Sequence, residues 1–255
     1  MPGIRNQPGP ATISAVTDLG EINFSPGGEE WIEYGPPADR RRLGFHDYAG
    51  IYAVPGLYER VFYDTLGMRS TTEVVRLYAE ALEELGLDPA AQRVVDFGAG
   101  NGLGGEALRE AGVGALMGVD LEPMARTAAE RDRPGVYDDY LVGDVGLWSE
   151  DELERLSAFR PDALVALSAV GLGHVPRETL QRALDPLGPG GIYAFAVAPP
   201  LLPESTDAAG QASGYPAFLE ALVDRTDLLC REEYVHRRRA DGSDDLGIAF
   251  VGRMR

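Results

Sequence analysis

Residues 94–102 read VVDFGAGNG, and this stretch holds more chemical information than any other in the chain. Two β-branched residues run into Asp96, after which glycine falls on alternate positions, Gly98, Gly100 and Gly102. An apolar run, a glycine-rich turn and a helix-like GGEALREAG make the strand–loop–helix opening of a nucleotide-binding α/β unit. Glycine is needed where the backbone turns tightly and a ligand approaches closer than a Cβ would allow. The carboxylate of Asp96 is the discriminating feature. A pyrophosphate arriving at the following helix N-terminus would be repelled by an anion there; a ligand carrying a positive charge and an amine would not. Two further carboxylates, Asp120 in MGVD and Asp144 in LVGDV, stand at the ends of later apolar runs.

Candidate bases are few. His174 follows the apolar run DALVALSAV and falls at the carboxyl edge of the expected sheet, where ligands bind. Imidazole titrates near neutrality, so His174 suits a general base; a loop histidine bonded to backbone is the plainer alternative. His46 and His236 rank behind it, and His236, beside Arg237–Arg239, reads as a surface residue at a solvated strand end. Cys230 is the single cysteine, in the alternating run DLLCREEYV, and reads as a buried, inert thiol.

These residues must be positioned by a repeating unit. RVVDF, ALMGVD, YDDYLVGD, DALVALSAV and GGIYAFAV read as strands. GGEALREAG, EPMARTAAERD, SEDELERLSAF and PRETLQRALDPLG read as the helices between them. Such alternation implies a parallel sheet covered on both faces. A long loop, Ala198 to Tyr215, leads to the helix PAFLEALVDRT, and LLCREEYVHRR and LGIAFVGRM, joined by ADGSDD, read as a closing antiparallel hairpin. Residues 1 to about 30 lack periodicity and read as a loose arm. Between Trp31 and Arg69 aromatic residues gather, and LYERVFYDTL allows Leu57, Val61 and Phe62 to share a helical face with Thr65 and Leu66. A helix over Ser70–Leu85, stopped by Gly86, follows. The organisation is therefore a flexible arm and aromatic cap, 1–69, and an α/β domain, 70–255.

Bulk properties narrow the function. The chain has 255 residues, 44% of them apolar, and a formal charge of −18, which disfavours a nucleic-acid partner, since phosphate backbones need clustered cations. Every basic side chain apart from histidine is arginine, so Schiff-base chemistry and a P-loop lysine are excluded. With neither a leader-like apolar segment nor a membrane-length run, a soluble, cytoplasmic protein without a membrane partner is expected. Oligomeric state is left open between a monomer and a homodimer.

From Arg93 to Arg255 the chain resembles the class I S-adenosylmethionine-dependent methyltransferases of the small-molecule type. Asp96-x-Gly98-x-Gly100-x-Gly102 looks like that family's first motif, Asp120 like the acidic residue closing its second strand, and Asp144 like the one ending its third. The resemblance implies a Rossmann-like sheet of seven strands, the last antiparallel, with helices on both faces and an N-terminal helical cap. It implies S-adenosyl-L-methionine as cofactor. Asp96, Gly98, Ala99, Gly100 and Gly102 would then lie against its methionine part, Asp120 would accept from both ribose hydroxyls, and Asp144 would take the adenine amine. Leu121 and Val145 would flank the base. LSAVGLGHVP resembles the segment whose first residues, Ser168 among them, floor the sulfonium.

Tyr48, Tyr52, Tyr58, Tyr63 and Phe62 could form a lid, with Tyr63 the first choice for contact and, with His174, the candidate catalytic group. Arg69 could meet a ligand carboxylate, though a surface arginine is the plainer reading. No Asp-Asp-Asn cluster is placed, so no metal is invoked. The proline–aromatic tetrad of base- and amide-methylating relatives is absent, with Leu167, Ser168, Ala169 and Val170 in its place. The expected activity is methyl transfer to a small molecule, in secondary metabolism. The alternatives are other chemistry on the same cofactor, a silent binding protein, and a dinucleotide oxidoreductase, because Gly100, Gly102 and Gly105 also satisfy G-x-G-x-x-G.

Overall fold

A computed structural model describes residues 18–255, so the expected arm lies outside the described residues as far as residue 17. Strand forms within the remainder of that arm, at residues 23–25 and from residue 28. β1 (Asn23–Ser25), β2 (Gly28–Tyr34) and β3 (Arg41–Gly44) form a small antiparallel sheet. On β2 the buried face is carried by Ile32 and Tyr34, too few apolar positions to stand out against the surrounding Gly, Pro and Glu. Helix α1 (Tyr48–Ala53) follows, then a π-helical segment, Glu59–Thr65, and α2 (Ser70–Glu84).

The π-helix alters the expected face. Leu66 N–H donates to the Val61 carbonyl five residues back, at 3.1 Å, and this wider turn buries Leu57, Val61, Phe62 and Leu66 while Thr65 points to solvent. Helix α2 ends as predicted. Gly86, at φ 65°, donates to the Glu83 carbonyl and Leu87 to that of Leu82, the paired bonds of a Schellman stop.

Strands and helices then alternate as the spacing requires. β4 (Arg93–Phe97), α3 (Leu103–Glu110), β5 (Ala115–Asp120), α4 (Pro123–Asp132), β6 (Asp139–Val142), α5 (Glu150–Ala158), β7 (Ala163–Val170), α6 (Arg177–Leu184) and β8 (Ile192–Val197) run in order. The segment read as a loop from Ala198 contains a short helix, α7 (Ala208–Ala212), before α8 (Tyr215–Asp224). β9 (Thr226–Arg238) and β10 (Asp244–Met254) close the chain as a hairpin. The seven strands lie in the order β6-β5-β4-β7-β8-β10-β9, with β10 antiparallel to both its neighbours.

Both faces of this sheet are covered, and β8 registers it. All six of its residues are buried, Tyr193, Phe195 and Val197 in the core on one face and Ile192, Ala194 and Ala196 in that on the other. The cap has a core of its own, around Ile32, Ile51, Leu57 and Phe62. Among the described residues no helix is long and apolar enough to cross a membrane.

Candidate functional site

The parallel strands deliver their final residues to one edge, and a cavity of about 400 Å³ opens there. Gly98 follows β4, Asp120 ends β5, Asp144 follows β6, and Ser168 lies on β7; all four line it, together with Leu121 and Val145. Gly98 needs its form twice over: φ is 78°, and a Cβ would stand 2.6 Å from that of Ala169. Its N–H and that of Ala99 both donate to the Val119 carbonyl, at 2.8 and 3.1 Å, so the loop folds back over β5. Asp120 accepts from Gly100 N–H and Glu122 N–H, each at 2.8 Å. Burial raises its carboxyl above the usual range, and the backbone donors oppose that rise. Asp144 accepts from Gly146 N–H at 2.8 Å and caps the short turn after β6.

Among the described residues four carboxylates, Asp47, Asp120, Glu122 and Asp144, line this cavity, and no arginine does. Asp96, Ala99, Gly100 and Gly102 are not in its wall. Asp96 is 1% exposed and accepts the Tyr137 hydroxyl at 2.7 Å; burial is the main cause of its pKa being raised to about 7. The Tyr140 hydroxyl donates to the Gly100 carbonyl at 2.8 Å, and a Cβ on Gly100 would meet the Tyr52 hydroxyl at 2.7 Å. Arg133 covers the far end, with its guanidinium 3.0 Å from Glu59 and donating to the Asn101 carbonyl at 3.2 Å. Glu59 Oε1 also accepts from the Asn101 amide at 2.9 Å, which leaves its Oε2 buried without a partner. The glycine loop is thus overlaid by tyrosines and one ion pair, a cover formed by residues distant in sequence.

The cap contributes His46, Tyr48, Tyr52 and Tyr58 to the same cavity. Tyr63 is different. Its hydroxyl pairs with Thr71 Oγ1 at 2.5 Å and it lines neither this cavity nor its neighbour, a consequence of the wide π-helical turn that carries it. Burial holds the Tyr52 and Tyr58 hydroxyls well above their ordinary pKa, so both stay protonated. His174 stands between this cavity and a second one of about 190 Å³, its ring centroid 5.2 Å from that of His46. Loss of surrounding water, and then His46, lower its pKa below the ordinary histidine value.

His236 and Arg237 correct the sequence reading. The His236 ring lines the second cavity and is held by Ser70 Oγ, which is shared with the Tyr234 hydroxyl at 2.8 Å. Arg237 is bidentate to Glu29 at 2.7 and 2.8 Å and lies 3.3 Å from Asp245. Only Arg238 and Arg239 are the exposed strand end expected of the run. Arg69 is exposed and pairs with the buried Glu73, and Cys230 is partly buried, with burial raising its thiol pKa. Periodicity offered no signal for Tyr137, Tyr140 or Ser70; their partners lie 38 to 166 positions away.

No protein-family model matches the sequence, and a search of curated proteins finds no match. Solved structures do resemble it. The N-methyltransferase NodS from Bradyrhizobium japonicum WM9, in complex with S-adenosyl-L-homocysteine, has a TM-score of 0.54 at 18% identity, over 81% of this chain and 96% of that one. A SAM-dependent methyltransferase from Anabaena variabilis ATCC 29413 has a TM-score of 0.53 at 16% identity, over 84% of this chain and 96% of its own. With the strand order above, these likenesses establish the fold: the Rossmann-like α/β sheet of class I S-adenosylmethionine-dependent methyltransferases.

Proposed function

We propose that the protein is an S-adenosylmethionine-dependent methyltransferase acting on a small molecule. The observation that carries this reading is the charge of the larger cavity, which among the described residues has four carboxylates and no arginine in its wall. A sulfonium ligand is favoured by such a lining and a pyrophosphate is opposed by it. The residues present fit the cofactor in its adenosyl half: Asp120 offers a two-oxygen acceptor to the ribose hydroxyls, Asp144 an acceptor to the adenine amine, and Leu121 and Val145 apolar contact to the base. When bound, the cofactor supplies a methyl carbon activated by sulfonium. Gly98 gives it room for close approach, Ser168 floors the site, and His174, neutral at physiological pH, takes a proton from an acceptor that must lose one.

Calorimetry tests the reading directly. S-adenosylmethionine and S-adenosylhomocysteine should bind and NAD should not, and Asp120→Ala should weaken binding by about 10- to 100-fold, the worth of hydrogen bonds to a charged group. Binding of NAD alone would overturn it.

A further inference from the structure

The second cavity opens off the first, with His46, Tyr48, Tyr58, Ser168 and His174 in the walls of both. Part of its wall is apolar: Phe45, Phe62 and Met68 come from the cap and its exit, Leu167 and Val170 from β7, and Leu246 from β10. Its charged residues are already matched. Arg237 holds Glu29 and lies 3.3 Å from Asp245, which also accepts from Arg239 at 2.8 Å. Among the described residues an anionic guest would therefore find no free guanidinium there, and a cationic guest no free carboxylate.

Away from the shared mouth, where His46, Tyr48, Tyr58, Ser168 and His174 stand, its uncharged polar side chains form one chain of groups: Ser70, the first residue of α2 and fully buried, with Tyr234 and His236 of β9. Ser70 Oγ engages His236 Nδ1, and among the described residues Nε2 has no hydrogen-bond partner. Desolvation, and then the adjacent Arg237, lower the pKa of this imidazole to about 4, so it is neutral in the physiological range. A neutral imidazole fixed at one nitrogen presents a single directed hydrogen-bonding group at the other.

We propose that the second cavity is the acceptor site and that it takes a neutral, ring-bearing molecule with a hydroxyl group, the hydroxyl bonded at His236 and the reacting atom turned toward the mouth shared with His174. This rests on the methyl-transfer reading for the identity of the guest as an acceptor, though not for its chemistry. Apolar rings match the walls, a hydroxyl matches His236, and either charge would be desolvated without compensation. His236 then determines specificity, and Ser70 is a positioning residue acting through it.

Three probes of one shape separate these terms: 2-naphthol, 2-naphthoate and 2-naphthylmethylammonium, titrated by saturation-transfer NMR on the intact chain at pH 7. 2-Naphthol should bind at least about tenfold more tightly than either ion, the ions losing hydration without a partner. His236→Phe should weaken 2-naphthol about three- to tenfold, the worth of one neutral hydrogen bond, and His236→Gln, which keeps a polar group, should restore most of it. In Ser70→Ala the 15N shifts of the His236 ring should report a changed tautomer balance, and Ser70→Thr should return them to the wild-type position. An ion binding as well as 2-naphthol, or indifference of 2-naphthol to His236→Phe, overturns the proposal. Titrating S-adenosylhomocysteine on the same sample keeps the two readings apart. If it binds while the probes are not discriminated, the acceptor proposal alone fails; if the probes are discriminated while it does not bind, the methyl-transfer reading fails.

Discussion

Asp96 shows how far a residue's setting can depart from its motif. The carboxyl sits within the core edge, bonded by Tyr137, and burial lifts its pKa to about 7. A carboxyl whose pKa is raised on folding binds its proton more tightly in the native state. Its contribution to stability is greatest below its unfolded pKa near 4, and is lost as pH rises through about 7. Asp96→Asn, which keeps an acceptor for Tyr137, should therefore gain on the wild type by a few kcal/mol between about pH 4 and pH 7 and by no more above that. Denaturant titrations of both proteins across that range measure the difference; parallel curves would refute it. His174 is the converse case, an imidazole held below its ordinary pKa and so ready to accept a proton at neutrality. The rate of methyl transfer should be flat near pH 7–8 and fall as acid protonates it. His174→Ala should lower kcat by about 10²- to 10⁴-fold and abolish that acid limb. Retention of both rate and limb in the variant would assign the base elsewhere.

Elements decide which of these residues meet. The hairpin β9–β10 runs beyond the sheet, and its outer end holds the cap: Arg238 N–H donates to the Leu66 carbonyl at 2.7 Å, and Arg69 N–H to that of His236 at 2.8 Å. Arg237 completes the latch through Glu29 on β2, with both side chains well shielded. Removing one member of such a pair strands the other. Arg237→Ala should destabilise the cap by about 2–4 kcal/mol, somewhat less than full burial would imply. Hydrogen exchange of residues 28–44 should quicken while that of β4, β5 and β7 stays unchanged. Glu29→Ala should act alike, and the double variant should be little worse than either single one; additive losses would mean that the pair is not a latch. The π-helix works at this scale too, because its wide turn sends Tyr63 to Thr71 and leaves Tyr58 to face the cavities.

At the scale of the whole molecule, an α/β sheet and a separately cored cap enclose the two cavities between them. Much of the sheet was legible from periodicity: buried strands and amphipathic helices are local patterns, and alternation of the two makes a parallel sheet whose strand ends gather on one edge. Asp120, Asp144 and Ser168 reach the cavity wall for that reason. The small sheet β1–β3 was not legible, since Ile32 and Tyr34 are a faint alternation amid Gly, Pro and Glu. Nor could the sequence reveal that His236 and Arg237 turn inward, because the groups that hold them, Ser70 and Glu29, are 166 and 208 positions away. The chain by itself determined its βα alternation, the strand-end carboxylates and the absence of lysine, all carried by neighbours in sequence. Only tertiary structure decided that tyrosines cover the glycine loop, that Asp96 is sealed from the cavity, and that a second cavity is lined by His236 with Arg237 paired beside it. Those properties depend on burial and on charge pairing, which arise when distant segments exclude water from one another.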